Sequence, residues 1–180
     1  WASGGVMPFG KHDAEGNMIE PPDTSRMDEW PDRWSGAKRY YVFNNFRTPV
    51  ADTPAARKRV AEWIHFWADY FRERGLQSSQ LALHIFDEAH ALESDAVIIS
   101  WAKVLQEAEP EVVLWSDPTW RDPRKMTPQY PALMDVLCPN RPMWIGNRAV
   151  FEQYYAAQRE AERTLSFYSC SGPVRHLDPY

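Results

Sequence analysis

Cysteine is nearly absent: Cys138 and Cys170 are the only two, too few for a disulfide framework and without metal-ligand spacing. Glycine is also sparse, with 8 residues against 15 prolines, and no Gly-x-x-x-x-Gly-Lys-Ser/Thr loop offers a cradle for phosphate. No apolar run approaches the roughly 18 residues that a membrane-spanning helix needs. Basic excess is missing as well. Twenty Lys and Arg stand against 25 Asp and Glu, a net charge of -5, so binding to a phosphate backbone by charge has no support. The chain begins at Trp1 with neither a Met nor a signal-like segment. The compartment stays open, secretion and the periplasm included.

What is present is an ordinary globular composition, 44% hydrophobic and 25% charged, in a length suited to about one domain. The excess is in tryptophan, nine residues. These serve a large aromatic core or a surface that stacks on flat ligands, sugars among them.

Residues 1–37 are rich in Gly, Pro, Asp and Glu and read as mostly loop, with one short helix over Met27–Trp34. From Lys38 onward the pattern becomes periodic. Arg39–Phe46 has strand composition. Thr53 and Pro54 open a helix that Gly75 closes, with Val60, Ile64, Trp67 and Phe71 at helical spacing. Leu81–Glu88 and Glu111–Asp117 are near-continuous apolar runs of the kind found in strands buried on both faces. Between them Ser94 is expected to cap a helix carrying Val97, Ile98, Trp101, Val104 and Leu105. Met134–Cys138 is a short strand. Asn147 opens a helix, and Leu165–Cys170 is the last strand. Strands alternating with helices predict an α/β fold with a parallel sheet. Five strands at this spacing suit a doubly wound sheet or part of a (β/α)8 barrel. The ending just past a strand predicts a fragment of a longer protein.

In parallel α/β folds, ligands sit at the carboxyl ends of the strands. Asn44 and Asn45, then Asp87 and Glu88, then Ser116 and Asp117, then Cys138 and Asn140, then Tyr168 to Cys170 fall there in turn. Asp87-Glu88 is the sharpest of these. Adjacent carboxyls at the edge of an apolar sheet either form a solvated turn or make a pair whose pKa values are split by burial and repulsion, which suits acid/base chemistry. The string Asp87-Glu88-Ala89-His90 also matches the Walker B motif of DEAH-type helicases. The missing phosphate loop and the acidic, Trp-rich composition disfavour that reading. His84 and His90 read as structural, and the cysteines as small buried hydrophobes.

From Trp34 to Tyr180 the order of several pieces resembles the catalytic barrel of glycoside hydrolase family 123. The pieces are Trp34-Ser35-Gly36-Ala37 before Tyr40-Tyr41-Val42, and the Trp-rich helix ending Arg74-Gly75-Leu76. Leu83–Glu88, Val113–Asp117, Val136–Asn140 and Phe167–Cys170 follow. Family members often have Pro where this chain has Ala89. The resemblance implies a (β/α)8 barrel, incomplete over residues 38–180, whose final strand lies beyond Tyr180. It implies cleavage of a β-linked N-acetylhexosamine in which the sugar's own acetamido oxygen attacks the anomeric carbon. Glu88 would protonate the leaving oxygen and Asp87 would hold the acetamido N–H, with no metal and no cofactor required. Tyr168 would either hydrogen-bond the acetamido oxygen or fill the barrel. Trp115 and Trp120 would be a sugar platform or packing. Asn44 and Asn140 would bind hydroxyls. Two alternatives remain: a glycosidase with Glu88 as acid and Asp117 as nucleophile or base, and a carbohydrate-binding barrel without catalysis.

Overall fold

A computed structural model describes residues 2–169. Residues 2–33 hold more structure than loop. β1 (Ala2–Ser3), β2 (Lys11–His12), β3 (Met18–Glu20) and α1 (Ser25–Arg33) all precede the periodic part of the chain. After them come β4 (Tyr40–Phe43), α2 (Pro54–Glu73), β5 (Leu81–His84), α3 (Leu92–Ala108) and β6 (Val113–Ser116). The chain continues through α4 (Gln129–Ala132), β7 (Val136–Leu137), α5 (Arg141–Gly146), α6 (Arg148–Glu160) and β8 (Thr164–Leu165). Of the expected last strand, Leu165–Cys170, only its first residue lies in β8, and Cys170 is outside the described residues.

The fold is α/β. Six strands form one sheet in the order β1-β4-β5-β6-β7-β8, and β2 pairs with β3 in a separate hairpin. Every neighbouring pair in the large sheet is parallel. The order never reverses, as it does at the switch point of a doubly wound sheet. Leu81–His84 and Val113–Ser116, both apolar runs, sit side by side in the middle with Leu83 opposite Leu114.

Alternation along the strands separates two apolar layers. Val42, Leu83, Leu114 and Leu137 share a core with Trp63, Ile64, Trp67 and Phe71 of α2, Ile98 and Leu105 of α3, and Phe151 and Tyr155 of α6. Ala82, Val113, Trp115 and Val136, with Tyr41 and Phe43 against them, form a second cluster with no helical member. Helices thus cover one face, as follows when successive right-handed crossovers all advance in the same direction.

α2 forms where its local signals agree. The Thr53 hydroxyl accepts from Ala56 N at 3.2 Å, and Pro54 opens the helix. Gly75, with φ at +73°, turns the chain left-handed just past its end. The fully buried Trp63, Trp67 and Phe71 each contribute roughly 3 kcal/mol or more by the cost of truncating such side chains. α3 begins earlier than its Ser94 signal suggests. Ala91 is the cap residue, and Ser94 sits inside the first turn with its hydroxyl accepting from His90 N and Ala91 N. Asn147 stands where α6 begins but makes no side-chain cap.

The N-terminal segment escaped periodic analysis because a two-residue strand has no period. It is nevertheless integral. Carbonyls of Met7 and Pro8 accept from the buried indole N–H of Trp63, and Pro8 also from Trp67. Gly16 lies so close to α2 that a β-carbon there would stand 2.2 Å from the Ala55 carbonyl oxygen.

Candidate functional site

β5 delivers its acidic pair to the carboxyl edge of the sheet by a sharp turn. Asp87 N donates to Asn45 Oδ1 at 3.2 Å, and Glu88 N donates to Asp117 Oδ1 at 3.1 Å. Glu88 has φ at +52° and Asn45 at +57°. Asn tolerates this region, whereas Glu held there stores on the order of 1–3 kcal/mol of strain. The surrounding bonds hold it. Thr119 Oγ1 donates to Glu88 O at 2.9 Å, His90 Nδ1 meets the same carbonyl at 2.8 Å, and Thr119 N donates to Ala89 O at 2.9 Å.

The Glu88 side chain points across the sheet edge. Tyr168 donates its hydroxyl to Glu88 Oε1 at 2.8 Å, although β5 and β8 are separated by β6 and β7. At about 4.8 Å per strand, their backbones stand roughly 14 Å apart on a flat sheet, so the two side chains reach toward each other over the intervening strand ends. Burial, foremost, and the bond to Glu88 hold the Tyr168 phenol well above its ordinary pKa, so it remains a neutral donor.

Beneath this pair, on the face without helices, lies His84. Its ring is fully buried, 4.1 Å from the ring of Phe43 and 4.4 Å from that of Trp115, centroid to centroid. His84 Nε2 and Asp117 Oδ1 are 2.6 Å apart. A carboxylate only accepts, so the proton is on Nε2. Asp87 stands beside them. Burial, then the negative charge of Asp117, holds its carboxyl above the usual carboxylate range, with Glu88 adding to the shift and His84 opposing it.

His84, Asp87 and Asp117 each offer one ligand atom within 4.8 Å of the others. Two donors on one metal with bonds near 2.1 Å stand about 3.0–3.4 Å apart, whereas His84 Nε2 and Asp117 Oδ1 are 2.6 Å apart. The spacing is that of a hydrogen bond.

Asp87, Glu88, Asp117 and Tyr168 do come together. His84, read as structural, stands at the centre of the cluster. Its alternation with Ala82 on β5 was the signal, since Ala82 belongs to the second cluster. Asn45 rather than Asn44 touches the acidic pair, and Asn44 contributes a backbone N–H to His84 O at 3.1 Å. Asn140 caps α5 by accepting from Met143 N at 3.2 Å, its backbone bridges to Tyr168, and its side chain is hydrogen-bonded with the Tyr168 side chain. Trp115 is 2% exposed and is packing rather than platform. Trp120 donates its indole N–H to the buried Asp95 at 3.1 Å, which ties it to α3. Cys138 is buried and its thiol is pushed up to about 11 by that burial, so it is chemically quiet.

A groove of about 380 Å³ lined by Val50, Asp52, Arg57, Leu92 and Lys103 among others shares no residue with this cluster. The helicase motif lacks its context too. Gly5 and Gly10-Lys11 have phosphate-loop spacing, but His12 follows them, and Lys11 begins a strand and pairs with Glu20 at 2.7 Å instead of opening a helix. No helix among the described residues is long and apolar enough to cross a membrane. No family model matches the chain, and no curated protein matches it significantly.

Proposed function

We propose that the protein is a glycoside hydrolase that cleaves β-linked N-acetylhexosamines with the help of the substrate's own acetamido group. The observation that carries this reading is the pair Asp87-Glu88, two adjacent carboxyls at the carboxyl edge of a parallel sheet with different surroundings. Glu88 faces the Tyr168 hydroxyl, while Asp87 sits against Asp117 and His84. Neighbours held apart in this way suit two roles. The longer Glu88 protonates the glycosidic oxygen as the bond breaks. The shorter Asp87 accepts the acetamido N–H, and so turns the carbonyl oxygen toward the anomeric carbon and stabilises the positive charge that develops on the cyclising amide. Water then opens the cyclic intermediate, with Glu88 now taking the proton.

The resemblance to glycoside hydrolase family 123 supports the same reading, as does the sheet. Six parallel strands in unbroken order with helices on one face suit the greater part of a (β/α)8 barrel, whose interior would be the layer of Tyr41, Phe43, His84 and Trp115. Tyr168 serves as the donor that orients Glu88. The alternative with Asp117 as nucleophile is less favoured: its side chain is 6% exposed and already accepts two hydrogen bonds.

The test is a panel of aryl β-glycosides with and without a 2-acetamido group. Turnover confined to the acetamido sugars supports the proposal. Binding of these sugars without turnover makes the protein a carbohydrate-binding barrel.

A further inference from the structure

The turn that presents Glu88 is tied down by one short segment, Asp117 to Thr119, at the end of β6. Asp117 accepts from the Glu88 N–H, while Thr119 donates to the Glu88 and Ala89 carbonyls. Asp117 is in turn fixed by His84, which lies buried between Phe43 and Trp115. The chain of contact runs from the sheet interior through His84 and Asp117 to the backbone of Glu88. On the glycosidase reading, we propose that Asp117, anchored by His84, is a positioning residue that aims the general acid Glu88 without touching substrate.

The left-handed backbone of Glu88 is the reason such a device is needed. Glutamate does not favour φ near +52°. Released from Asp117, the turn relaxes toward commoner conformations, and the carboxyl swings away from the glycosidic oxygen. Misplacement of a reacting group by about 1 Å costs on the order of 10²-fold. The loss falls on the step that requires a proton from Glu88 and spares leaving groups that depart without one.

The experiment compares wild type, E88Q, D117A, D117N and the double variant D117A/E88Q on aryl β-N-acetylhexosaminides whose phenols range from weakly to strongly acidic. D117A is expected to lose about 10²-fold on the poorest leaving group and less than about tenfold on the best, the same pattern as E88Q. The double variant is expected to be no slower on the poorest leaving group than E88Q alone, because Asp117 acts through Glu88. D117N keeps an oxygen for the Glu88 N–H and recovers most of the rate. It also removes one of the charges that face Asp87, leaving His84 from β5 and Glu88 from the same turn. The acid limb of its pH–rate profile therefore moves to lower pH, which a purely structural role does not produce. Equal loss across all leaving groups in D117A, or rescue of D117A by azide to the inverted α-glycosyl azide expected when a nucleophile is lost, overturns the proposal and assigns Asp117 elsewhere. If D117A does not fold, D117S takes its place in the same leaving-group series, and equal loss across that series overturns the proposal. Wild type inert on every substrate overturns the glycosidase reading, and this role with it.

Discussion

Tyr168 donates its hydroxyl to Glu88 Oε1 at 2.8 Å across 80 residues of chain. Of the site's side-chain contacts, this one reaches from the turn after β5 to the segment that follows β8. It also gives Glu88 a neutral partner, in contrast to the charged partners of Asp87. A Y168F variant removes the donor and keeps the ring. Hydrogen bonds to charged groups contribute about 1.5–3 kcal/mol, so kcat/KM on an aryl N-acetylhexosaminide is expected to fall roughly 10- to 100-fold. The melting temperature should change little. A large loss of stability with unchanged kinetics would make Tyr168 a packing residue.

Replacing Glu88 by Gln is expected to cut cleavage of alkyl glycosides by about 10²–10⁴-fold, the usual contribution of a positioned general acid. Affinity for the intact substrate should persist. Phenols that leave readily need little protonation and should suffer less. Equal loss on both substrate types would mean that Glu88 is not the acid.

Asp87→Asn keeps the size and removes the charge. A carboxylate that meets developing positive charge acts more strongly in the transition state than in the ground state, so the loss should appear in kcat. The measurement compares the 2-acetamido and 2-hydroxy versions of one aryl glycoside, together with inhibition by a thiazoline mimic of the cyclic intermediate. Comparable turnover of both sugars without thiazoline inhibition would reject substrate assistance.

The same substitution should raise stability at neutral pH. Burial and the charge of Asp117 raise the Asp87 pKa above its ordinary value of 3.8, so the folded state binds the proton more tightly than the unfolded state. The group therefore favours folding below the unfolded pKa, and this contribution is lost as pH rises through the folded one. Above that point Asp87 is a net cost, which Asn removes. Thermal melts of wild type and D87N should differ at pH 7, with D87N higher, and the gap should close as pH falls toward 3.8. A gap independent of pH would refute the electrostatic account.

Trp120 offers a contrasting test. Trp120→Phe removes the indole donor to Asp95, which keeps its bonds from Thr127, the N–H among them at 2.7 Å. Loss of one bond to a buried carboxylate should destabilise the fold by about 1–3 kcal/mol. KM for the sugar should not change. A rise in KM without loss of stability would restore Trp120 as a platform.

The α/β class was legible because local and global signals agree in this chain. Thr53, Pro54 and Gly75 bracket a helix whose apolar period matches its buried stripe. Leu81–His84 and Val113–Ser116 are buried throughout, as their near-continuous apolar character required. Asp87 and Glu88 were legible as candidates because two carboxyls stand where the apolar run ends at Phe86, two residues past the end of β5. The roles around them were not legible. Whether a Trp faces sugar or core depends on which side of a strand or loop it occupies and on its partner, and Asp95 as the partner of Trp120 lies 25 positions away. Hydrophobicity alone gave His84 no role, since a His in mid-strand reads the same beside Asp117 as beside any other acceptor. Its function as an anchor depends on the register that sets β5 against β6, with His84 opposite Trp115. That register brings Asp117, two residues beyond Trp115 and just past the end of β6, within reach of the imidazole and of the Glu88 backbone. Local periodicity and end signals thus determined the elements and the acidic pair, while the pairing of strands distant in sequence decided which polar groups hold that pair in place.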